Sequence, residues 1–357
     1  MNAVELNNLR KVFEMSVGGG FWRKKREVVA VHGVSLAVPQ GQSLALIGPN
    51  GAGKSTIIKM LTGVLRPSAG DASVLGFRPW EQRQKLALLV GSVFGQRSQL
   101  WYHLPPRDSF DLLSHVYDLS KNDYVKRRDE LVERLQMGEF LDTPVRKLSL
   151  GQRMRAEVAA SLLHKPELLF LDEPTIGLDV VARQELRQIV REWNREQGLT
   201  VFLTSHDAGD IEAVSERVVV INHGQLVLDD TVENVRKEHL SGRVLTVVFH
   251  SDQPTLSLPG LKLLEAQGKK QRYEVDSSAT KIADAVTQML GLGEVADISI
   301  EDPSLEDVIA HIYSQAAHSD GSVSAERSSS PKVSGQASGL EGSNFIDCRT
   351  SNRARKH

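Results

Sequence analysis

The stretch Gly48-Pro49-Asn50-Gly51-Ala52-Gly53-Lys54-Ser55 fits the phosphate-loop pattern G-x-x-x-x-G-K-[ST]. An apolar run, Leu44-Ala45-Leu46-Ile47, precedes it, and Thr56-Ile57-Ile58-Lys59-Met60-Leu61 follows with helical spacing. Strand, loop and helix in that order are the context the pattern needs. The glycines let backbone N–H groups close around phosphate oxygens where a side chain would block the approach. The helix opening near Lys54 adds the positive end of its dipole. Lys54 would reach the terminal phosphates, and the Ser55 hydroxyl would sit on Mg2+.

Around this loop the sequence reads as an α/β chain. Residues 1 to about 13 and 28 to 38 alternate as two strands. Between them lies a glycine-rich and then basic segment, expected to be a solvated excursion. A sharper expectation is contact with anionic headgroups or a partner, because Phe21 and Trp22 stand beside Arg23, Lys24, Lys25 and Arg26. Residues 105–139 turn helical and read as an insertion after the first α/β unit. Apolar strands resume at Leu168–Leu171 and Thr200–Leu203, with helices expected over 184–194 and 208–215. Continuous apolar strands of this kind imply a sheet covered on both faces. A hairpin, Val218–Ile221 to Leu226–Leu228, follows. Composition shifts near Ser241-Gly242, and residues 243–313 read strand, strand, helix, strand, helix. From about Ala316 serine, glycine and charge dominate, which predicts a disordered tail.

Bulk properties exclude several classes. A net charge of −2 over 357 residues gives no electrostatic case for a nucleic-acid partner. One cysteine, Cys348, leaves no disulfide framework within the chain. No apolar run approaches the ~18 residues of a membrane span, and the first residues lack a basic-then-apolar leader. The expectation is a soluble chain able to dock on a membrane partner.

Four further segments carry candidate chemistry. Asp172 and Glu173 end a buried strand, where open α/β sheets place their ligand crevice. Asp172 would hold Mg2+, and Glu173 would polarise an attacking water. His206 ends the next strand and can hydrogen-bond a γ-phosphate. Leu148-Ser149-Leu150-Gly151-Gln152 offers a hydroxyl and backbone donors at a helix start, as an ordinary N-cap would. Gln96 is a surface amide unless it faces the nucleotide, where it would be a metal or water ligand.

In this order the segments resemble the nucleotide-binding subunits of ABC transporters over roughly residues 4–230. Residues 48–56, including Thr56, look like Walker A, and Leu168–Glu173 look like Walker B with its catalytic glutamate. Gln96 resembles the Q-loop glutamine, with Gln99 a rival because Gly95 is an extra glycine. Leu148–Gln152 resembles the signature LSGGQ with Leu150 in place of a glycine. Gly177-Leu178-Asp179 resembles the D-loop, His206 the switch histidine, and Phe13 the aromatic that stacks on adenine.

The resemblance implies a P-loop NTPase fold of the ABC type. Its parts are a mostly parallel sheet core, an antiparallel β subdomain and a helical insertion at about 97–160, all within residues 1–240. A small α+β domain would follow at 241–315, then the tail at 316–357. It implies an ATPase using ATP and Mg2+, with Glu173, His206 and Lys54 catalytic, and with Ser55, Gln96 and Asp172 at the metal. ATP would contact Phe13, Gly48, Pro49, Asn50, Gly51, Ala52, Gly53, Lys54, Ser55, Thr56 and Gln96 of one subunit. Ser149, Gly151, Gln152 and Asp179 would serve the ATP of a second subunit, identical or paralogous, in a head-to-tail dimer. A separate membrane permease would be the other partner, placing the chain peripherally on the cytoplasmic face. Phe94–Leu100, Leu148–Arg155 and Glu301–Val308 carry a finer likeness to bacterial drug- or viologen-type efflux ATPases. Three alternatives stand beside this. They are an import ATPase with a regulatory C-terminal domain, a soluble ABC ATPase working on ribosomes or DNA, and a small-molecule kinase. The last needs neither the signature segment nor His206.

Overall fold

The computed structural model describes residues 1–17, 24–95, 98–238, 242–257, 259–276 and 279–301, then residues 305, 308, 309 and 312. Within Met1–Ala316, which cluster as one compact unit, three sheets form. The expected tail lies outside the described residues.

The first sheet is antiparallel, β2-β1-β4, built from β1 (Asn2–Val17), β2 (Lys24–Pro39) and β4 (Ala69–Val74). β1 and β2 pair as far as Val17 opposite Lys24, so residues 14–17 and 24–26 of the expected excursion are strand. Alternation was not legible there because Lys24, Lys25, Arg26 and Glu27 are consecutive charges, which hides a period of two. The side chains of 15–25, and the whole of 18–23, lie outside the described residues.

The second sheet has six strands in the order β5-β6-β7-β3-β8-β9. They are β3 (Ser43–Ile47), β5 (Val90–Phe94), β6 (Leu168–Asp172), β7 (Thr200–Thr204), β8 (Arg217–Asn222) and β9 (Gln225–Thr231). All pairings are parallel except the edge pair β8–β9. Side chains alternate between the two faces of the sheet. Leu44, Leu46, Leu168, Phe170, Phe202, Val219 and Ile221 face the first sheet and α1 (Lys54–Leu61). The rings of Phe170 and Phe202 lie 5.5 Å apart there. On the opposite face Leu169, Leu171, Val201 and Leu203 pack under the helical insertion. Each such fully buried side chain contributes about 1.5–3 kcal/mol.

After the short α2 (Arg83–Ala87), the insertion comprises α3 (Pro106–Val116), α4 (Lys121–Arg134) and α5 (Leu150–Leu162). α6 (Val180–Gln197), α7 (Ala208–Val214) and α8 (Val232–Glu238) cover the same face of the sheet, with Val235 of α8 buried against it.

The third sheet, β11-β12-β10-β13, is antiparallel throughout. It contains β10 (Gly242–Phe249), β11 (Leu261–Gln267), β12 (Lys270–Asp276) and β13 (Val295–Glu301), with α9 (Ile282–Leu292) packed on one side. The expected strand–strand–helix–strand order gains one strand, β11. Leu-Lys-Leu-Leu-Glu-Ala-Gln carries a helix-like pattern and strong helix formers, so pairing with β12 overrides local propensity. The third sheet has its own core around Leu245, Val247, Phe249 and Tyr273. Leu305, Val308 and Ile312 do not join that core. They pack with Ala45 and Ile47 of β3, Ala208 and Ile211 of α7, Val218 and Val220 of β8, and Val235 of α8. The helix expected to close the small domain thus supplies apolar residues to the core of the first 240 residues.

Candidate functional site

The phosphate loop leaves the end of β3, a central strand buried at all five positions. Its backbone is held open by Gly51 at φ 85° and Gly53 at φ 107°, values that an L side chain rarely adopts. A Cβ on Gly53 would stand 2.6 Å from the carbonyl oxygen of Ala30, and one on Gly48 would stand 2.4 Å from that of Ile221. Ala30 is the extra residue of a β-bulge between Lys11↔Val31 and Val12↔Val29, a common device beside functional sites. Residues 50–56 line a cavity of about 510 Å³ together with Ala30, Phe94, Gly95, Asp172 and Glu173, whereas Gly48 and Pro49 do not line it.

Lys54 is 5 % exposed, and its Nζ donates to the carbonyls of Gly48 (2.6 Å) and Pro49 (3.3 Å). The same nitrogen lies 3.7 Å from Glu173 Oε1, and His206 Nδ1 lies 3.8 Å from that oxygen. Glu173 thus stands between a buried cation and an exposed imidazole. Ser55 Oγ donates to Asp172 Oδ1 at 3.3 Å, and Thr204 Oγ1 donates to the same oxygen at 2.7 Å. One carboxylate beside one hydroxyl at a phosphate loop suits Mg2+, a hard cation that keeps waters and phosphate oxygens rather than an all-protein cage. Among the described residues no cluster of three or more His, Cys, Asp or Glu could form such a cage.

Glu173 itself is backbone-strained, with φ 53°. Such a conformation persists only when its surroundings fix it. Its N–H donates to Thr204 O (3.0 Å) and Oγ1 (3.2 Å). On the other side Gly95 N–H donates to Asp172 O at 3.0 Å, and a Cβ on Gly95 would fall 2.4 Å from Glu173 O. The extra glycine is therefore where the strand end before Gln96 touches the backbone of Glu173. Gly95→Ala is expected to lower kcat about 10- to 100-fold by displacing that carboxylate. Paired measurements of ATP affinity and turnover check this, with affinity nearly unchanged.

Gln96 lies outside the described residues. Gln99 does not compete with it, because its Nε2 donates to Ser92 O (3.3 Å) and Glu157 O (3.1 Å). The Glu157 carboxylate accepts from Ser98 Oγ and Gln99 N, and burial holds it above the usual carboxylate range. This loop is thereby tied to α5. Phe13 is 37 % exposed beside Val28, with Lys11 Nζ 5.2 Å above its ring, and it does not line the cavity.

Ser149, Gly151, Gln152 and Asp179 do not line it either. Ser149 and Gln152 form a capping box on α5, the Ser149 hydroxyl accepting from Gln152 N (3.2 Å) and Gln152 Oε1 accepting from Ser149 N (3.0 Å). The Ser149 O–H proton is left over for an anion. A Cβ on Gly151 would meet Ala182 Cβ at 3.0 Å, and one on Gly177 would meet Leu150 Cδ2 at 2.9 Å, so the α5 start packs on the Gly177–Asp179 loop. Asp179 caps α6 by accepting from Ala182 N at 2.9 Å. Leu150, Ile176, Val180 and Val181 are exposed around this edge. Sequence pattern missed Ala30, Gly95 and Thr204 as neighbours of the site. Only Thr204, a polar residue closing a buried strand, gave a signal.

Comparison with known proteins agrees with this geometry. A profile of the ABC transporter family matches residues 31–176. The ABC transporter ATP-binding protein NatA of Bacillus subtilis is 30 % identical over 225 residues, covering 62 % of this chain and 91 % of its own. The daunorubicin/doxorubicin resistance ATP-binding protein DrrA of Streptomyces peucetius is 32 % identical, over 76 % of this chain and 82 % of its own. Among solved structures, cbiO1 from Clostridium perfringens, part of the ABC transporter complex cbiONQ, superposes with a TM-score of 0.56. It is 25 % identical and covers 66 % of this chain and 91 % of its own. A dimeric ATP-binding cassette bound to ADP and Pi, 24 % identical, shares the fold with a TM-score of 0.57 over 64 % of this chain and 98 % of its own.

Proposed function

This chain belongs to the ABC transporter family as an ATP-binding subunit and an ATPase, and from that premise we propose that it energises export of a small, drug-like molecule through a separate permease. Relatives named for daunorubicin and linearmycin resistance support the direction and the class of cargo. Among the described residues no helix is long and apolar enough to cross a membrane; the chain would sit peripherally at the cytoplasmic face, beside its permease.

The observation that carries the mechanism is the division of the site. Lys54, Ser55, Asp172 and Glu173 converge on one cavity, while Ser149, Gly151, Gln152 and Asp179 stand elsewhere on the same chain. A second subunit would bring its Ser149 and Gly151 over the triphosphate, covering the apolar edge at Leu150, Ile176, Val180 and Val181. Phosphate oxygens would replace the Gly48 and Pro49 carbonyls as partners of Lys54. Ser55, Asp172 and Gln96 would hold Mg2+, which when bound neutralises charge on the phosphates. Glu173 would take a proton from the attacking water, and His206 would orient the γ-phosphate. Phe13 would lie against the adenine.

Ser149→Arg is expected to leave ATP binding by the single subunit intact and to abolish the ATP-dependent dimer. Light scattering with and without ATP distinguishes the two, and an unchanged dimer would remove Ser149 from the shared site. For the transport assignment, the chain is expected to co-purify with an integral membrane protein. Inverted vesicles containing both should accumulate drug on adding ATP; accumulation in the opposite sense would make the chain an import ATPase.

A further inference from the structure

One buried charge is not used by this mechanism. Asp210, in the first turn of α7, is 1 % exposed, yet its carboxylate gathers donors from three separate segments. Thr175 Oγ1, two residues after Glu173, and Ser205 Oγ (2.7 Å), one residue before His206, both donate to Oδ2. Arg187 of α6 donates to Oδ1 from Nε at 2.7 Å, with its Nη2 2.6 Å from the same oxygen. The neighbouring Asp207 caps α7, accepting from Gly209 N (2.9 Å), and also accepts from Arg183 (2.6 Å) and Arg187 (3.0 Å). A carboxylate buried this deeply persists only when paired and hydrogen-bonded throughout.

The placement of the donors matters more than their number. β6 and β7 are neighbours, and Glu173 and His206 follow their adjacent ends. On the cavity side Thr204 fixes the Glu173 backbone. Behind it, Asp210 joins the residues that leave Glu173 to the residue that enters His206. Packing of α6 on α7 alone would need only the arginines, which Asp207 already engages; the two hydroxyls serve the loops. Arg183 also donates to Leu178 O at 3.4 Å, extending the network to the loop that ends in Asp179.

We propose that Asp210 is a positioning residue for ATP hydrolysis, bracketing the Glu173 and His206 loops into one body through Thr175 and Ser205 and referring both to helix α6. This rests on Glu173 being the general base, as proposed above.

Thr175→Val and Thr175→Ser in the full chain test it. Thr175→Val should lower kcat about tenfold, the effect of one charge-assisted hydrogen bond. Directly measured ATP affinity should stay near the parent value, and Tm should fall by no more than a few degrees, leaving the folded fraction at assay temperature unchanged. Thr175→Ser restores the hydroxyl and should return kcat to within about twofold. Ser205→Ala should act like Thr175→Val, and the double variant should lose less than the product of the two, because both donors serve Oδ2. Should Thr175→Val fail to fold, Ser205→Ala provides the same readouts. The bracket is overturned by parental kcat in the variants that lack a hydroxyl, by equal losses in Thr175→Ser and Thr175→Val, or by a fall in kcat that follows ATP affinity or folded fraction. Glu173→Gln is measured beside them. Ordinary turnover there removes the base assignment, whereas a dead Glu173→Gln with normal Thr175→Val removes the bracket alone.

Discussion

Glu173→Gln is expected to bind ATP as tightly as the parent, or more tightly, and to lose turnover by about 100- to 10,000-fold. The amide keeps the shape of the side chain but cannot accept a proton from water. Its backbone should stay in place, because the φ of 53° is fixed by Thr204 and Gly95 rather than by the side chain. Lys54 loses an anion 3.7 Å away but keeps the two carbonyls of its own loop. Removing a negative charge beside the γ-phosphate site also removes a repulsion toward ATP. Bound nucleotide should therefore persist and hold two subunits together, giving an ATP-dependent dimer on size exclusion with no phosphate release. A variant that hydrolyses ATP at the parental rate would strip Glu173 of its role.

Lys54→Ala is expected to act earlier, on binding. The Nζ is the one cation shown inside the loop, and a charge-assisted hydrogen bond to phosphate is worth about 1.5–3 kcal/mol. Kd for ATP should rise about 10- to 100-fold, measured by titration calorimetry on the isolated chain. The same change leaves Glu173, 20 % exposed, without its nearest cation. Turnover at saturating ATP should consequently also fall. Unaltered affinity would show that the loop grips phosphate through backbone N–H groups alone.

How legible these parts were follows from how local they are. Residues 48–55 could be read directly, because the loop, its glycines and its helix are consecutive. Asp172, Glu173 and His206 could be placed because each ends a continuous apolar strand. Gly95 could not be valued, since the backbone it touches lies almost eighty positions further on. Asp210 was equally hidden: its partners, Thr175, Arg187 and Ser205, come from three elements and form no spacing. β11 was lost to helical propensity, and the outer half of the β1–β2 ribbon to a run of consecutive charges, Lys24 to Glu27. The separation of Ser149 from the cavity was implied only through family likeness, because no rule of spacing says which copy of a chain a serine serves.

Leu305, Val308 and Ile312 rest on the strand that launches the phosphate loop and on the helix that follows His206. Order along the gene and order in space therefore diverge. The sheet of residues 242–301 is flanked in sequence by contributors to one core of the motor, Val235 of α8 before it and Leu305, Val308 and Ile312 after it. Exchanging it for the corresponding sheet of a relative requires two splice points, one near 241 and one ahead of 305. A single cut near 241 would uncover the flank of the ATPase engine.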